Sequence, residues 1–459
     1  MHQERDTIAA ISTPPGAGAI GVLRLSGPQA IQIAQQAFRP LGSKGLTGHA
    51  PRTLVYGDLL DREGHPIDRV LCTFSRAPAS YTGEDTAEFH CHGSPMVLSL
   101  GLDALFALGA RQAGPGEFTR RAFLNGKLDL AQAEAVGDLL EARSREGARH
   151  AAGQLAGALS KKIGDVYSAL LDVMAHFHAV LDYPDEDIDP FRMEELSAAL
   201  RRQEAVLNQL LASCRRGQQL TKGIPCAIVG RPNAGKSSLL NALAGYERAI
   251  VTDIPGTTRD TIEVNVELGG LPVRLVDTAG LRDSDDPVEQ LGVARSRAAM
   301  ESSLLLMVVW DSSAPVTEED AALLAQSMEL APTILIWSKT DLASAPIPYL
   351  NLEKLPPIVE LSAKTGAGLD RLEEAVAALF PKDDSQPYGQ LLTNQRQEEA
   401  ARRARDSILR AREALELGMT PDALLTDVEE ALSALGELTG QSVREDITAR
   451  IFQRFCVGK

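Results

Sequence analysis

Residues Gly230-Arg-Pro-Asn-Ala-Gly-Lys-Ser237 decide the fold of the central part of this chain. They match the phosphate-loop pattern G-x-x-x-x-G-K-[ST], follow an apolar run and open the helical run Ser-Leu-Leu-Asn-Ala-Leu. The glycines let backbone N–H groups turn towards phosphate oxygens, Lys236 places a charge on the β- and γ-phosphates, and Ser237 offers a hydroxyl to Mg²⁺. The alternative is an ordinary strand-to-helix turn, which the context disfavours.

Further motifs lie at the ends of apolar runs. In Asp277-Thr-Ala-Gly280, the carboxylate can bind Mg²⁺ through water and the glycine N–H can reach a γ-phosphate. In Ser338-Lys-Thr-Asp341, the carboxylate can accept hydrogen bonds from the guanine edge, and adenine lacks the matching donors. The run Ser-Ala-Lys at 362–364 can complete the base pocket. Together and in this order, the motifs predict a GTPase.

Composition and charge narrow the setting. The 459 residues predict two or three domains, and 44% hydrophobic with 24% charged residues is ordinary for a globular protein. A net charge of −16 repels nucleic acid, so an RNA partner needs a local basic patch or a basic partner subunit. The five cysteines show no zinc spacing, and we expect a reducing, cytoplasmic setting. The apolar run Leu304–Trp310 is too short for a membrane helix and predicts a buried strand.

The chain divides by pattern into four segments. Residues 1–120 carry short strands and an apolar helix at Met96–Ala107, which predicts an α+β domain. Residues 121–217 and 380–459 have helical spacing. We expect them to form one bundle with the intervening domain inserted, although two separate helical modules are the alternative.

Residues 218–379 alternate apolar strands with helical stretches, which predicts a parallel sheet flanked by helices. The strand candidates are Cys226–Val229, Val273–Val276, Leu304–Val309, Thr333–Trp337 and Ile358–Leu361. Pro381–Gln390 is polar with two prolines and predicts a linker.

Two features depart from common switch GTPases. Leu281 stands where Ras-type proteins have the glutamine that orients water, so hydrolysis needs another arrangement. Ser338 stands where asparagine is usual in the base motif. Serine can replace part of the hydrogen bonding of asparagine but has a shorter reach, so the change concerns the affinity for the nucleotide and not its identity.

The chain closely resembles the MnmE (TrmE) family, the bacterial and organellar tRNA modification GTPases. The resemblance rests on the phosphate loop, on Thr-Asp-Ile-Pro-Gly-Thr-Thr-Arg-Asp at 252–260 and on the ending Phe-Cys-Val-Gly-Lys at 455–459. Further matching stretches lie at 13–16, 23–27, 81–85, 116–127 and 128–134. The resemblance implies an N-terminal α+β domain like folate-binding aminomethyltransferases, a helical bundle built from two chain segments and an inserted α/β P-loop GTPase domain.

The resemblance also implies a potassium site and a catalytic carboxylate. Asn233, Thr252, Thr257 and the backbone carbonyl of Ile254 would hold K⁺, and Thr258 would join Ser237 on Mg²⁺. A cation between the phosphates would replace an arginine finger, and pairing of two GTPase domains would stimulate hydrolysis. Glu289 would orient or polarise the attacking water, and Lys236 is the other predicted catalytic residue. By spacing alone, Glu289 belongs to a solvated loop. The predicted GTP- and ion-binding residues are Asn233, Ala234, Gly235, Lys236, Ser237, Ser238, Thr252, Asp253, Ile254, Pro255, Gly256, Thr257, Thr258, Asp277, Thr278, Ala279, Gly280, Ser338, Lys339, Asp341, Ser362, Ala363 and Lys364.

For the N-terminal domain and the C-terminal ending, the resemblance implies a site for 5-formyltetrahydrofolate or a related folate. Arg24, Glu88, Lys127 and Lys459 occupy matching positions, with cations for the anionic tail and a carboxylate for the pterin amino groups. Without the resemblance, a surface ion pair or a solvated face would explain the first three. Cys456 is either a nucleophile or an inert exposed thiol.

The implied function is modification of the wobble uridine of certain tRNAs at carbon five, with a carboxymethylaminomethyl or aminomethyl group. The implied partners are tRNA and the flavoprotein MnmG (GidA), which carries FAD. The resemblance implies no association with a membrane. The chain would form a homodimer through its N-terminal domains and a heterotetramer with MnmG. Two alternatives are a regulatory ribosome-assembly GTPase and a stand-alone folate-dependent aminomethyltransferase. The first leaves the ending at 455–459 unexplained, and the second leaves the intact phosphate loop unexplained.

Overall fold

A computed structural model of the chain divides into two compact units. The described residues are 6–182, 193–245, 263–277, 297–342, 346–347, 355–381, 387–419, 421–441, 451–452 and 455–458. Unit 1 consists of Met1–Gly137, Ser160–Ile188 and Thr420–Lys459, and unit 2 consists of Asp138–Leu159 and Asp189–Met419. The four segments predicted from the sequence, 1–120, 121–217, 218–379 and 380–459, are a different division of the chain and remain a prediction.

Unit 1 is built on a seven-stranded sheet of order β3-β4-β5-β6-β2-β1-β7, antiparallel except for the β1–β7 pair. Its strands are β1 (Ile8–Ile11), β2 (Gly18–Ser26), β3 (Phe38–Pro40), β4 (Val55–Leu60), β5 (Pro66–Ser75), β6 (Thr86–Gly93) and β7 (Arg111–Gln112). Its α-helices are α1 (Ala30–Gln36), α2 (Pro95–Ala107), α3 (Glu117–Leu124), α4 (Leu130–Glu141), α6 (Ala158–Asp182) and α13 (Pro421–Thr439), of which α4 and α6 each extend slightly past the division.

The two faces of this sheet carry different residues because side chains alternate along a strand. On β2, Leu23 and Leu25 join Phe89 in a core with α1 and α2. Arg24, between the two leucines, belongs to the opposite face, where a smaller cluster contains Ala10 and Phe118. The predicted α+β character and the helix at Met96–Ala107 are confirmed by this architecture.

Unit 2 is built on a six-stranded sheet of order β13-β12-β11-β8-β10-β9. Its strands are β8 (Ile224–Val229), β9 (Glu263–Leu268), β10 (Leu271–Asp277), β11 (Leu305–Asp311), β12 (Thr333–Ser338) and β13 (Ile358–Glu360). Its helices are α5 (Arg145–Leu155), α7 (Met193–Lys222), α8 (Lys236–Ala244), α9 (297–302), α10 (Glu318–Leu330), α11 (Leu369–Leu379) and α12 (Gln395–Glu416).

All five predicted strands of this sheet are present and mutually parallel. Each consists mainly of apolar residues, with Arg274 in β10 and Glu360 in β13 as charged exceptions. The prediction missed β9, which pairs antiparallel with β10 at the edge of the sheet. Gly269 and Gly270 join the two strands with φ of 59° and 80°. Positive φ at both positions is the requirement of a tight hairpin turn, so the Gly-Gly pair was the available signal.

Helices from both flanks of the α/β segment pack together within unit 2. Arg201 of α7 pairs with Glu416 of α12 at 2.9 Å, and Cys214 Sγ lies 3.1 Å from Glu398 Oε2. The helices therefore run antiparallel, and the predicted assembly from two chain segments is confirmed. Among the described residues, none of the helices combines the length and apolar character that a bilayer crossing requires.

The predicted linker Pro381–Gln390 is described at its first residue and from 387 onwards. Gly389 N donates to His150 Nδ1 of α5 at 3.1 Å, and Leu391 and Leu392 beyond it are buried. The C-terminal end of the linker is thus anchored to the helices of unit 2.

Candidate functional site

The phosphate loop connects β8 to α8 at the carboxyl edge of the parallel sheet, where α/β proteins bind ligands. Its conformation requires glycine at Gly230, because a Cβ there would lie 2.4 Å from Val309 O. Gly235 (φ 109°) and Asn233 (φ 61°) also adopt positive φ, which side-chain-bearing residues rarely tolerate. The result is a tight loop whose last residues form the N-terminus of α8, a favourable end for an anion.

Lys236, the first residue of α8, reaches back across this loop. Its Nζ donates to Gly230 O at 2.8 Å and to Arg231 O at 2.7 Å. The ammonium group is therefore held within the loop, where it can neutralise phosphate charge. Ser237 and Asn233 are exposed, so the hydroxyl and the amide predicted to bind Mg²⁺ and K⁺ are accessible.

The base motif lies against the phosphate loop. Ser338, at the end of β12, donates from Oγ to Ala234 O at 2.5 Å, and Lys339 Nζ donates to Asn233 O at 2.7 Å. We call these two hydrogen bonds the clasp. The clasp joins consecutive residues of one motif to consecutive carbonyl groups of the other.

Asp341 and Ser362 meet at the ends of β12 and β13. The Ser362 hydroxyl donates to Asp341 Oδ1 at 2.8 Å, because the two parallel strands end side by side. Ala363 is half-buried against the core and Lys364 is exposed. The predicted base-pocket residues thus lie together at one edge of the sheet.

Asp311, at the end of β11, belongs to the same region and was not predicted. Its Oδ2 accepts from Lys339 Nζ at 2.7 Å. Burial opposes ionisation, but hydrogen bonds from Lys339 and Ser313 hold the pKa of Asp311 below its ordinary value. An aspartate at the end of an apolar strand was the only signal in the sequence.

Several predicted residues lie outside the described part of the chain. Asp277 is described in its backbone, which pairs with Ile228, but its side chain is not. The residues outside the description are Thr252, Asp253, Ile254, Pro255, Gly256, Thr257, Thr258, Thr278, Ala279, Gly280, Leu281, Glu289 and Lys459.

In unit 1, Arg24 and Glu88 are directly opposite on β2 and β6. Arg24 Nε donates to Glu88 Oε1 at 2.8 Å, with each side chain partly exposed. The guanidinium carbon lies 5.8 Å from the ring centre of Tyr81 and 5.7 Å from that of Phe118, within cation–π range. The sequence predicted the charged pair as ligand contacts but did not predict that they bond to each other or that aromatic rings flank them.

The loop 81–85 links these residues to Lys127. A Cβ on Gly83 would lie 3.1 Å from Lys127 Cγ, so the lysine stem crosses this glycine. Below the loop, the buried Arg121 guanidinium pairs with Glu84 at 3.2 Å and with Glu117 at 3.0 Å. Burial alone would raise the pKa of Glu117, yet hydrogen bonds from Arg111, the Gly114 amide and Arg121 hold it below its ordinary value.

The C-terminal tail, residues 455–458, docks on the first strand of unit 1. Gly116 N donates to Cys456 O at 3.2 Å, and Ser12 Oγ donates to Gly458 O at 2.9 Å. A Cβ on Gly458 (φ 97°) would lie 2.2 Å from Ile11 O, so only glycine fits there. The tail is therefore held through its backbone and through the Phe455 ring, whose centre lies 5.6 Å from that of Phe452.

Cys456 differs from the other thiols in exposure. The remaining four cysteines are buried, and burial raises the pKa of Cys91 and of Cys214 to about 12. At neutral pH, Cys456 is therefore the thiol that is open to reagents and to substrates.

Comparison with known proteins covers nearly the whole chain. Residues 7–127 match the family model described as the GTP-binding protein TrmE N-terminus, and residues 130–456 match the MnmE helical domain. The chain is 44% identical over 457 residues to the tRNA modification GTPase MnmE of Chloroflexus aurantiacus, which spans 99% of this chain and 100% of that protein. It is 45% identical over 469 residues to the protein of the same name from Moorella thermoacetica, with 99% of each covered. Among solved structures, the G domain of the T. maritima FeoB iron transporter matches at 29% identity over 34% of this chain and 98% of that one, with a TM-score of 0.27.

Proposed function

Since the chain belongs to the MnmE family of tRNA modification GTPases, we propose that it binds and hydrolyses GTP at its phosphate loop as part of a tRNA-modifying enzyme. The observation that carries the proposal is the convergence of the loop, Lys236, the clasp and the Asp341–Ser362 pair at one edge of the sheet in unit 2. Lys236 would contact the phosphates, and Asp341 would accept hydrogen bonds from the guanine edge.

We propose that Mg²⁺ and K⁺ assist this reaction. Ser237 and Thr258 would hold Mg²⁺, with Asp277 acting through water. Asn233, Thr252, Ile254 and Thr257 would hold K⁺, and the exposed Asn233 side chain on a positive-φ turn fits a ligand role. The cations would neutralise charge that develops on the phosphates, and pairing of two GTPase domains would close the potassium loop.

We propose a folate site on the face of the unit 1 sheet that carries Arg24, opposite the core formed with α1 and α2. Arg24 and Lys127 would meet the carboxylates of the folate tail, and Glu88 would accept from the pterin amino groups. The face fits such a ligand because charges of both signs and the exposed Tyr81 ring are accessible there. Lys459 would contribute from the docked tail. The folate would supply the one-carbon unit.

The proposed product is a wobble uridine carrying a carboxymethylaminomethyl or aminomethyl group at carbon five. The proposed partner is the flavoprotein MnmG, which would supply FAD and tRNA-binding surface to a chain of net charge −16. The chain would act in the cytoplasm as a homodimer within a heterotetramer.

Two measurements test the proposal. Nucleoside analysis of tRNA from a deletion strain should show loss of the wobble modification, and normal modification would reject the tRNA function. GTP hydrolysis by the purified chain should be faster in K⁺ than in Na⁺ at equal ionic strength, and equal rates would reject the potassium site. Lys236→Ala is the negative control, because it removes the charge held in the loop.

A further inference from the structure

Asp68 of β5 and His92 of β6 form a pair on the sheet of unit 1 that none of the proposed sites uses. His92 Nδ1 lies 2.7 Å from Asp68 Oδ1, and the His92 backbone N–H donates to Asp68 Oδ2 at 2.8 Å. Because a carboxylate can only accept hydrogen bonds, Nδ1 carries the proton, and Nε2 of the neutral ring keeps its lone pair. We call these two residues the dyad.

The two side chains of the dyad differ in exposure. The Asp68 side chain is 11% exposed and that of His92 is 74% exposed, so the carboxylate is shielded while the imidazole reaches solvent. His65 makes only a looser contact of this kind, 3.4 Å from the more exposed Asp61 in the turn between β4 and β5. A firmly held carboxylate fixes the tautomer and the orientation of an imidazole, which is the arrangement of a general base.

The strands are irregular on both sides of the dyad. The register of β4 with β5 shifts next to Leu59, the partner of Asp68, and the register of β2 with β6 shifts next to Ile20, the partner of His92. A Cβ on Gly93 would lie 2.4 Å from a carbonyl oxygen of β2, so the residue after His92 must be glycine. Bulges re-aim side chains and are common beside active sites, and here they flank the dyad.

The dyad shares a face of the sheet with the proposed folate residues. Glu88 and His92 are four residues apart on β6 and therefore point to the same side, about 13 Å apart along the strand. A folate whose pterin ring meets Glu88 would occupy part of this interval, and the rest would admit a small nucleophile. The proposed product contains an amine nitrogen. At neutral pH its precursor is an ammonium ion, which must lose a proton before it can attack carbon.

We infer that His92 is the general base that activates the amine substrate, and that Asp68 is the positioning residue that holds its ring. An N–H bond of the ammonium ion breaks, the proton bonds to Nε2, and the electron pair stays on the nitrogen, which attacks the one-carbon unit. The Asp68 carboxylate stabilises the imidazolium, which then releases its proton to solvent. This inference rests on the proposed folate site and the proposed tRNA modification.

The experiment compares two amines in the complete system of full-length chain, flavoprotein, tRNA, GTP and folate. Ammonium must lose a proton before it attacks, whereas hydroxylamine is already neutral at neutral pH. His92→Gln should slow the reaction of ammonium by about 100-fold and that of hydroxylamine by less than about 3-fold. Mass spectrometry of the tRNA nucleosides measures both products, with the reaction in the absence of the chain subtracted.

Asp68→Asn tests the positioning residue. An amide can donate to Nδ1 and so move the ring proton to Nε2, which removes the base. The reaction of ammonium should slow by at least about 10-fold, again with little effect on hydroxylamine. If His92→Gln does not fold, Asp68→Asn decides the question by the same difference between the amines.

His65→Gln is the matched control, since it removes an exposed histidine beside an aspartate on the same sheet. It should leave the rates with both amines unchanged. In His92→Gln, the affinity for 5-formyltetrahydrofolate and the rate of GTP hydrolysis should stay within about 2-fold of wild type.

The outcomes separate the inference from the function on which it rests. Equal slowing with ammonium and hydroxylamine would assign His92 a structural role, and a wild-type rate with ammonium in His92→Gln would remove it from the reaction. Either result would overturn the inference. Failure of the wild-type chain to bind 5-formyltetrahydrofolate, or to modify tRNA with either amine, would instead reject the proposed function and the inference with it.

Discussion

At the scale of single residues, the candidate nucleotide site depends on a few positions whose chemistry cannot be exchanged. Gly230 has no room for a Cβ beside Val309 O, and Lys236 is the cation held inside the loop. These positions follow from the phosphate-loop pattern. The contacts of Ser338 and Asp311 do not, because hydrogen bonds between loops distant in sequence leave no spacing that can be read.

Asp341→Asn should change the base preference. The substitution replaces a carboxylate acceptor with an amide that presents donors, which opposes guanine and matches the carbonyl of xanthine. Loss of charge-assisted hydrogen bonds should weaken GDP binding by roughly 10- to 100-fold and strengthen XDP binding. Competition titration with GDP and with XDP measures this change in base preference.

Ser362→Ala is the companion variant, because the Ser362 hydroxyl donates to Asp341 Oδ1. It should weaken GDP binding by several-fold without creating xanthine preference. A guanine preference that survives Asp341→Asn intact would remove this carboxylate from base recognition.

Glu289→Ala should separate hydrolysis from binding. Leu281 cannot orient water, so the proposed catalytic role falls on Glu289, and both residues lie outside the described part of the chain. We expect turnover to fall by about 100-fold or more, which is the usual range for loss of a general base, with GTP affinity within about 2-fold of wild type. Single-turnover hydrolysis and equilibrium binding of GTP provide the two readouts. Hydrolysis at the wild-type rate would exclude Glu289 from catalysis.

At the scale of secondary structure elements, apolar runs determined what could be predicted. The parallel strands β8, β11 and β12 of unit 2 are apolar runs buried on both faces, so the sequence marks them clearly. Edge strand β9 alternates Val264, Val266 and Leu268 with charged and polar residues, and the Gly-Gly turn places it beside β10. The docking of 455–458 combines backbone hydrogen bonds with the ring of Phe455, and so short a segment carries no hydrophobic period that could predict it.

Gly458→Ala should undock the C-terminal tail. A methyl group would meet Ile11 O at 2.2 Å, and alanine at φ 97° adds backbone strain of about 1–2 kcal/mol. The expected result is faster reaction of Cys456 with a thiol reagent, with the buried cysteines still unreactive. Gly64→Ala is the control, because Gly64 has φ 84° and open space around it. An unchanged rate in Gly458→Ala would mean that the tail is not held at Gly458.

The anchor of residues 387–392 on α5 should weaken in acid. His150 Nδ1 accepts from Gly389 N and must therefore be neutral. Burial, reinforced by Arg216 and opposed by Glu146, lowers the pKa of His150 from its ordinary 6.5. Because the unfolded chain binds this proton more readily, the contribution is complete above pH about 6.5 and is lost as the pH falls towards the lowered value.

Thermal unfolding between pH 7.5 and 5.5 measures this effect. One histidine can change the free energy of unfolding by at most about 1.4 kcal/mol per pH unit. His150→Gln keeps a neutral acceptor, so its melting temperature should fall less over the same interval. Parallel curves for the two proteins would remove His150 as the cause.

At the scale of the whole molecule, each unit contains one group of residues that is proposed to bind a ligand or to take part in a reaction. Unit 2 holds the nucleotide motifs, and unit 1 holds the Arg24–Glu88 pair and the docked tail with Cys456. The existence of two sets was predictable because each carries its own motifs. The grouping of α4, α6 and α13 with the first sheet was not, because helical spacing identifies a helix without naming its neighbour.

Cys456→Ser should therefore separate the two proposed activities. The exposed thiol lies in unit 1, so GTP hydrolysis in unit 2 should stay within about 2-fold of wild type. If the thiolate is the nucleophile, serine is a far weaker substitute at neutral pH, and wobble modification should fall by at least about 100-fold. Nucleoside analysis of tRNA from a complemented deletion strain gives the second readout. Val457→Thr changes an exposed side chain on the same tail without touching the thiol, and it should complement fully. Full modification with Cys456→Ser would limit the tail to a structural role, because its backbone contacts with Gly116 and Ser12 do not involve the sulfur.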